Sequence, residues 1–122
     1  MAFEEALRCI SMEPGEDLSG YQYRYVKIGT GGKAELCGAA EFARGILENA
    51  PTISGVASIG IEGESKVVAV SGVRAGDLVT SDSMGRATTV GAGKHVNGLS
   101  HEDCNKDGQI ITVGLVHGYN AS

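Results

Sequence analysis

The chain is a succession of short apolar runs separated by clusters of glycine and polar residues. Runs of this length, bounded by turn residues at regular intervals, are typical of β-strands in a small sandwich or barrel. One run, residues 67–70 (VVAV), is apolar at every position and predicts a strand at the centre of the sheet. The pattern therefore predicts an all-β fold, a small β-sandwich or barrel.

The same pattern occurs twice along the chain. Residues 26–34 (VKIGTGGKA) are matched 53 residues later by residues 79–87 (VTSDSMGRA). An internal repeat indicates two copies of one β unit that bury their apolar faces together. We place the units at about residues 21–72 and 73–118 of a single β domain, residues 21–122, and treat residues 1–20 as an N-terminal arm or edge strand outside the repeat. Two later matches support the repeat: Gly45-Ile46 with Gly98-Leu99, and residues 59–61 with residues 113–115.

Each unit contains a predicted hairpin. In the first, residues 26–28 and 34–36 flank a turn at 29–32; in the second, residues 78–80 and 87–90 flank a turn at 82–85. The remaining pattern predicts a short helix beginning at residues 39–42, strands at 43–47, 55–61, 66–71 and 109–116, a turn at 62–65 that joins two of them, and a tail from Gly118.

Three tyrosines, Tyr21, Tyr23 and Tyr25, alternate with other residues ahead of the first hairpin. A period of two predicts a strand that carries all three rings on one face. Such a face packs across neighbouring strands or contacts another subunit, because tyrosine suits half-buried interfaces.

Composition limits the functions that remain open. The net charge of −5, with dispersed basic residues, argues against nucleic-acid binding, which needs a basic surface. No run approaches the ~18 apolar residues of a membrane span, and the first residues lack the basic and apolar regions of a signal peptide. Cys9, Cys37 and Cys104 show no CxxC spacing and are expected to be small buried thiols in a protein made and kept in a reducing cytoplasm.

Candidate catalytic and metal motifs are incomplete. A phosphate-binding loop at the glycine-rich turn would need its first glycine at Lys27 and a hydroxyl at Ala34. Residues 103–108 match the first half of a calcium loop, but Gly114 stands where the bidentate acid is required. The histidines are widely spaced, and no serine lies in a GxSxG elbow. We therefore predict no catalytic, cofactor-binding or metal site.

Residues 73–87 (VRAGDLVTSDSMGRA) resemble the run V-x-A-G-D-L-V-T-S-D-x-x-G-K/R-A of the small head decoration proteins of tailed bacteriophages, also called capsid cement or capsid stabilising proteins. Similar segments extend the resemblance to roughly residues 14–116. The resemblance implies a β-rich domain without enzymatic activity that binds the major capsid protein on the outer surface of an assembled head. It further implies a homotrimer, or alternatively a dimer, made in the bacterial host cytoplasm and located on the virion.

On this resemblance, residues 1–20 are expected to contact the capsid lattice, with the tyrosine face packed nearby. Two other functions stay open: a non-catalytic β-barrel that binds a ligand or partner, and a hydrolase whose site is assembled across an oligomer interface. The candidate capsid or subunit contacts are Phe3, Leu7, Ile10, Tyr21, Tyr23 and Tyr25.

Overall fold

The computed structural model describes residue 2 and residues 4–91 and 94–120, with side chains as far as residue 118. This part of the chain is nearly all β, which confirms the predicted fold class. Its strands are β1 (Glu5–Met12), β2 (Tyr25–Ile28), β3 (Ala34–Leu36), β4 (Gly45–Leu47), β5 (Ala57–Ala69), β6 (Leu78–Ser81), β7 (Ala87–Thr89), β8 (Lys94–Val96), β9 (Gly98–Ser100), β10 (Gln109–Gly114) and β11 (Gly118–Asn120).

Strand β5 is the centre of the architecture. It is 13 residues long, and it pairs with β1 and β4 along its first half and with β10 along its second half. The predicted turn at residues 62–65 is wrong, because the chain continues through this polar segment as one strand. Gly63 has a φ of +100°, and it lies opposite a bulge in the paired strand β1.

The main sheet has nine strands and forms two rings that share β5. In the second, the order β5–β10–β9–β6–β7 closes into a barrel when Ala69 of β5 pairs in parallel with Ala87 of β7. In the first, β5, β4, β2 and β3 follow one another, and a parallel bridge from Pro14, just after β1, to Ala34 closes the ring.

The two rings have the same strand register, which confirms the repeat. Val26 pairs with Leu36 in the β2–β3 hairpin, and Val79 pairs with Thr89 in the β6–β7 hairpin, so both pairs keep the offset of 53 residues. The strand that follows each hairpin is also equivalent: Gly45 of β4 lies opposite Val26, and Gly98 of β9 lies opposite Val79.

The repeat extends further towards the N-terminus than the sequence match. Ala57 and Ile111 are equivalent positions of the two units. Ala57 of β5 pairs with Met12 of β1, and Ile111 of β10 pairs with Val67 of β5. Strand β1 therefore takes the place in the first unit that the second half of β5 takes in the second. Residues 1–20, which the sequence match leaves outside the repeat, contain the first strand of unit 1. Among the described strands, β1 pairs with β5 alone and so is an edge strand.

Each unit has its own aliphatic core, and equivalent positions fill both. The first cluster contains Leu18, Val26, Ala34, Leu47, Ala57, Ile59 and Ile61. The second contains the corresponding Val73, Val79, Ala87, Ile111 and Val113, with Leu115 packed against it, and adds side chains from the first unit, among them Tyr25 and Ile46. The second core is therefore partly built by the outer face of the first unit.

Two local predictions are wrong. The short helix at residues 39–42 is absent, because the Ala40 N–H donates to Ser81 O and Ala40 takes a φ of +58° that an α-helix does not allow. The predicted tail from Gly118 begins with β11, which pairs with β8.

We expect replacement of Gly45 by alanine to destabilise the protein. A Cβ at this position would overlap Gly60 O and lie 2.9 Å from the Ile59 Cγ2 atom, so strands β4 and β5 would have to separate. The expected loss in free energy of unfolding is about 1–3 kcal/mol. Gly20→Ala is the matched control, because nothing lies within 4 Å of a Cβ there. Urea unfolding measures both changes, and equal stability of the two variants would contradict the close packing of β4 on β5.

Candidate functional site

The predicted tyrosine face does not form. Tyr23 has a left-handed φ of +64°, and β2 begins only at Tyr25, so the alternation is broken by turns. Tyr25 is fully buried in the second core, and burial, with a smaller contribution from Cys37, raises the pKa of its hydroxyl. Tyr21 packs against the first core, and Tyr23 lies under the Lys66 ammonium, 5.7 Å from the ring centre. Tyr25 therefore belongs to the core and not to a surface contact.

The apolar residues of the opening segment have different environments. Ile10 is partly buried and packs with Met12 against the first core, so it attaches β1 to the domain. Leu7 is half-buried, and its Cδ1 atom lies against the backbone of Gly60 on β5. Phe3 lies outside the described residues. Leu7, Ile10, Tyr21 and Tyr23 are all partly exposed, and Ile10 and Tyr21 are the two that pack against the first core.

The large apolar side chains on the surface fall into groups. Leu78 of β6 and Leu99 of β9 pair with each other on the outward face of the second unit, and they are 41% and 36% exposed. Ile53 and Val56 lie in the loop between β4 and β5. The described surface also exposes Ile28, Phe42, Met84, Ile110 and Val116.

A pocket of about 400 Å³ opens beside the end of β2. The Phe42 ring lies 5.7 Å from the ring of His95 and 5.0 Å from that of His117. Lys27 Nζ binds both carboxylate oxygens of Glu41, and this hydrogen bond lowers the pKa of Glu41. The pocket is lined by Lys27, Ile28, Glu41, Phe42, Arg44 and His95, a set with two cationic groups and one carboxylate.

The pocket lies outside the motifs that the sequence singled out, although one signal was present. Phe42 and His95 are 53 residues apart, the offset of the repeat. These two ring-bearing residues, at equivalent positions of the two units, contact each other at the pocket. A search for paired aromatic positions across the repeat would have found them.

A polar cluster lies where β5 passes from one unit to the other. Ser65 Oγ donates to Glu48 Oε2 over 2.6 Å, and Glu64 Oε2 lies 3.1 Å from His101 Nε2. Burial, together with the neighbouring Glu4 carboxyl, raises the pKa of Glu48 to about 8. Glu48 therefore holds a proton at neutral pH in the folded protein.

The cysteines and the acidic loop have structural environments. Cys37 and Cys104 are buried as predicted, whereas Cys9 is exposed, so the prediction fails for Cys9. Burial raises the pKa of the Cys37 thiol to about 12, which makes it a poor nucleophile. In the acidic loop, Asp103 and Asp107 accept hydrogen bonds from backbone N–H groups of neighbouring loops. Within residues 4–91 and 94–120, no three acidic, histidine or cysteine side chains come together as a metal site.

No protein-family model matches the chain, and no curated protein is significantly similar to it. Across the described residues, no helix combines the length and the apolar character needed to cross a membrane. The surfaces and the pocket described above therefore carry the functional argument, together with the sequence resemblance.

Glu48 is expected to make stability depend on pH. Its pKa is about 8 in the folded state and about 4.5 when unperturbed, so the folded state binds the extra proton between these values. The contribution of Glu48 to stability is therefore present below about pH 4.5 and is lost as the pH rises to about 8. Glu48→Gln should remove this loss, so the variant should gain stability relative to the parent protein as the pH rises through the window.

Chemical unfolding between pH 4.5 and 8 measures the effect. Glu62→Gln is the matched control, because Glu62 lies on the exposed face of the neighbouring strand β5 and pairs with the exposed Arg8. Stability curves of Glu48→Gln and the parent protein that stay parallel over this range would show that Glu48 is not protonated in the folded state.

Proposed function

We propose that the chain is a structural capsid decoration, or cement, protein that binds the outer surface of an assembled phage head and stabilises the contacts between capsomers. The observation that carries this proposal is the resemblance of residues 73–87 to phage head decoration proteins. The proposed partner is the major capsid protein, and the proposed location is the outer surface of the virion.

The residues of this run have roles in folding that suit a rigid adhesive domain. Asp82 Oδ1 accepts hydrogen bonds of 2.8 Å from the N–H groups of Met84 and Arg86, and Asp82 Oδ2 accepts one from Arg86 Nε. Asp77 Oδ2 accepts the Arg74 N–H over 2.9 Å and so closes the preceding turn. The two aspartates of the run therefore close its turns through hydrogen bonds within the chain.

A rigid domain of this kind can stabilise a shell without chemistry. A protein that binds only the assembled, expanded lattice stabilises that lattice by mass action. Each copy needs a patch of ordinary size, on the order of 1,600 Å² in total. Many copies on one particle, each bridging neighbouring subunits, multiply the effect.

The edge of β1 is the surface that best fits contact with the lattice. Ile10 and Met12 attach this strand to the first core, so its position is fixed. Its outer edge pairs with no other strand among those described, and it exposes Arg8 and Ser11. An extended segment of a capsid subunit can add to such an edge through backbone hydrogen bonds, a mode that demands little of side chains.

The test is to mix the purified protein with expanded, undecorated heads of the phage that carries this sequence. We expect saturable co-sedimentation and regular density on the outer surface by electron microscopy, because each lattice position offers the same site. Decorated heads should also resist heat or chelation better than bare heads. Absence of binding to intact expanded heads would overturn the proposal.

Two substitutions test whether β1 is the contact surface, independently of whether the protein decorates heads. Leu7→Ser should weaken binding to heads several-fold by removing an apolar group beside the β1 edge. Ile53→Ser, at an exposed apolar side chain in the β4–β5 loop, is the matched control and should bind as the parent protein does. Weaker binding by Ile53→Ser alone would reject β1 as the contact and leave the decoration function in place.

The alternative function, a non-catalytic β-barrel that binds a ligand or partner, is favoured by the pocket at Phe42. Its histidine and phenylalanine rings can hold a flat apolar group, and Arg44 can pair with an acidic one. Saturable binding of a small aromatic acid, lost in Phe42→Ala, together with no binding to heads, would favour this function.

A further inference from the structure

The two units of the chain use different faces where the first hairpin strand of unit 1 meets the hairpin of unit 2. We call the outward side of unit 1 its tail face, formed by Tyr25, Ile46 and Ala43. The part of unit 2 that receives it is the head face, formed by Ser81, Gly85 and Asn97. The hydrogen bonds between these two faces join the tail face of unit 1 to the head face of unit 2.

Specific hydrogen bonds define this contact. The Tyr25 N–H donates to Gly85 O over 2.7 Å, and the Ala43 N–H donates to Asn97 Oδ1 over 3.1 Å. The Tyr25 side chain reaches into the second core, where a Cβ at Gly98 would lie 2.6 Å from the hydroxyl. Tyr25 and Ile46 are both fully buried as a result.

The equivalent contact in the reverse direction is absent among the described residues. The head face of unit 1 corresponds to Ile28, Gly32 and Arg44. Ile28 is 57% exposed, whereas its equivalent Ser81 is buried. A Cβ at Gly32 would meet nothing within 4 Å, whereas one at the equivalent Gly85 would meet Leu36 and Tyr25 of unit 1. A two-fold relation would bury both faces equally, so the units are related head to tail.

Two of the three equivalent positions on the tail face of unit 2 are exposed, whereas Val96, the equivalent of Ala43, is buried. Leu78 and Leu99 correspond to Tyr25 and Ile46, occupy the same paired register, and are 41% and 36% exposed. The chain therefore keeps apolar side chains on both unpaired faces: Leu78 and Leu99 at one end, and Ile28 beside the Phe42 pocket at the other. Both are faces that the chain itself buries where the equivalent partner is present.

We propose that a second copy of this chain binds here, with the Leu78/Leu99 tail face of one copy docked on the Ile28/Gly32 head face of the next. The contact repeats between chains the arrangement that joins the two units within one chain. Such a contact is heterologous, so copies close into a ring if the rotation per copy allows it and otherwise form an open chain. This self-contact is independent of the proposed binding to a phage head.

The first experiment measures the oligomeric state by analytical ultracentrifugation over a range of concentrations. The parent protein should self-associate, and Leu78→Asp or Ile28→Asp should each raise the dissociation constant at least about tenfold, because each places a charge in an apolar contact. Ile110→Asp is the matched control. Ile110 is 41% exposed, as Leu78 is, but its equivalent in unit 1, Val56, is also exposed, so neither residue belongs to the contact between the units.

Circular dichroism and urea unfolding check that each variant is folded, and Leu99→Asp provides a second tail variant.

Mixing the two blocked variants tests the direction of the contact. Leu78→Asp retains an intact head face and Ile28→Asp retains an intact tail face, so together they should form a one-to-one dimer and nothing larger. A parent protein that stays monomeric at its highest soluble concentration would overturn the proposal. An effect of Leu78→Asp without any effect of Ile28→Asp would also overturn it, since it would indicate a tail-to-tail contact or a different partner.

Discussion

The fold depends on one strand, β5, that belongs to both rings of the main sheet. Strand β5 supplies a wall of the first ring with residues as far as Ile61 and a wall of the second from Glu64 onward. A strand that has a partner strand along nearly its whole length loses many backbone hydrogen bonds at once if it detaches. The two units therefore hold a fixed register relative to each other, and the contact of Tyr25 with the second core depends on that register.

The sequence predicted what local chemistry determines. The hairpin turns and the repeat follow from glycines and alternating apolar residues, and the structure has them at the predicted offset. Three other predictions failed because tertiary contacts overrode local signals. Residues 62–65 look like a turn but lie within β5, Tyr23 breaks an apparent strand with a left-handed φ, and Ala40 binds β6 instead of starting a helix. No local pattern encodes these contacts, which join distant parts of the chain.

The candidate surfaces were the hardest features to predict, because exposure depends on how duplicated parts pack. Tyr25 and Leu78 occupy equivalent positions, yet one is buried and the other is exposed. From the sequence alone, both would be predicted to be apolar strand residues with the same burial. Only the one-way packing of the units separates a core residue from a candidate contact, and the same packing brings Phe42 and His95 together at the pocket. Duplication thus produces a domain whose two ends differ.

Native-state hydrogen exchange tests the shared role of β5 most directly. If β5 joins both rings, its amides should exchange most slowly, and the amides of β2 and β6 should share one free energy of opening because both rings open when β5 detaches. Independent opening of β2, at a free energy well below that of β6 and without a change in β5, would contradict this account.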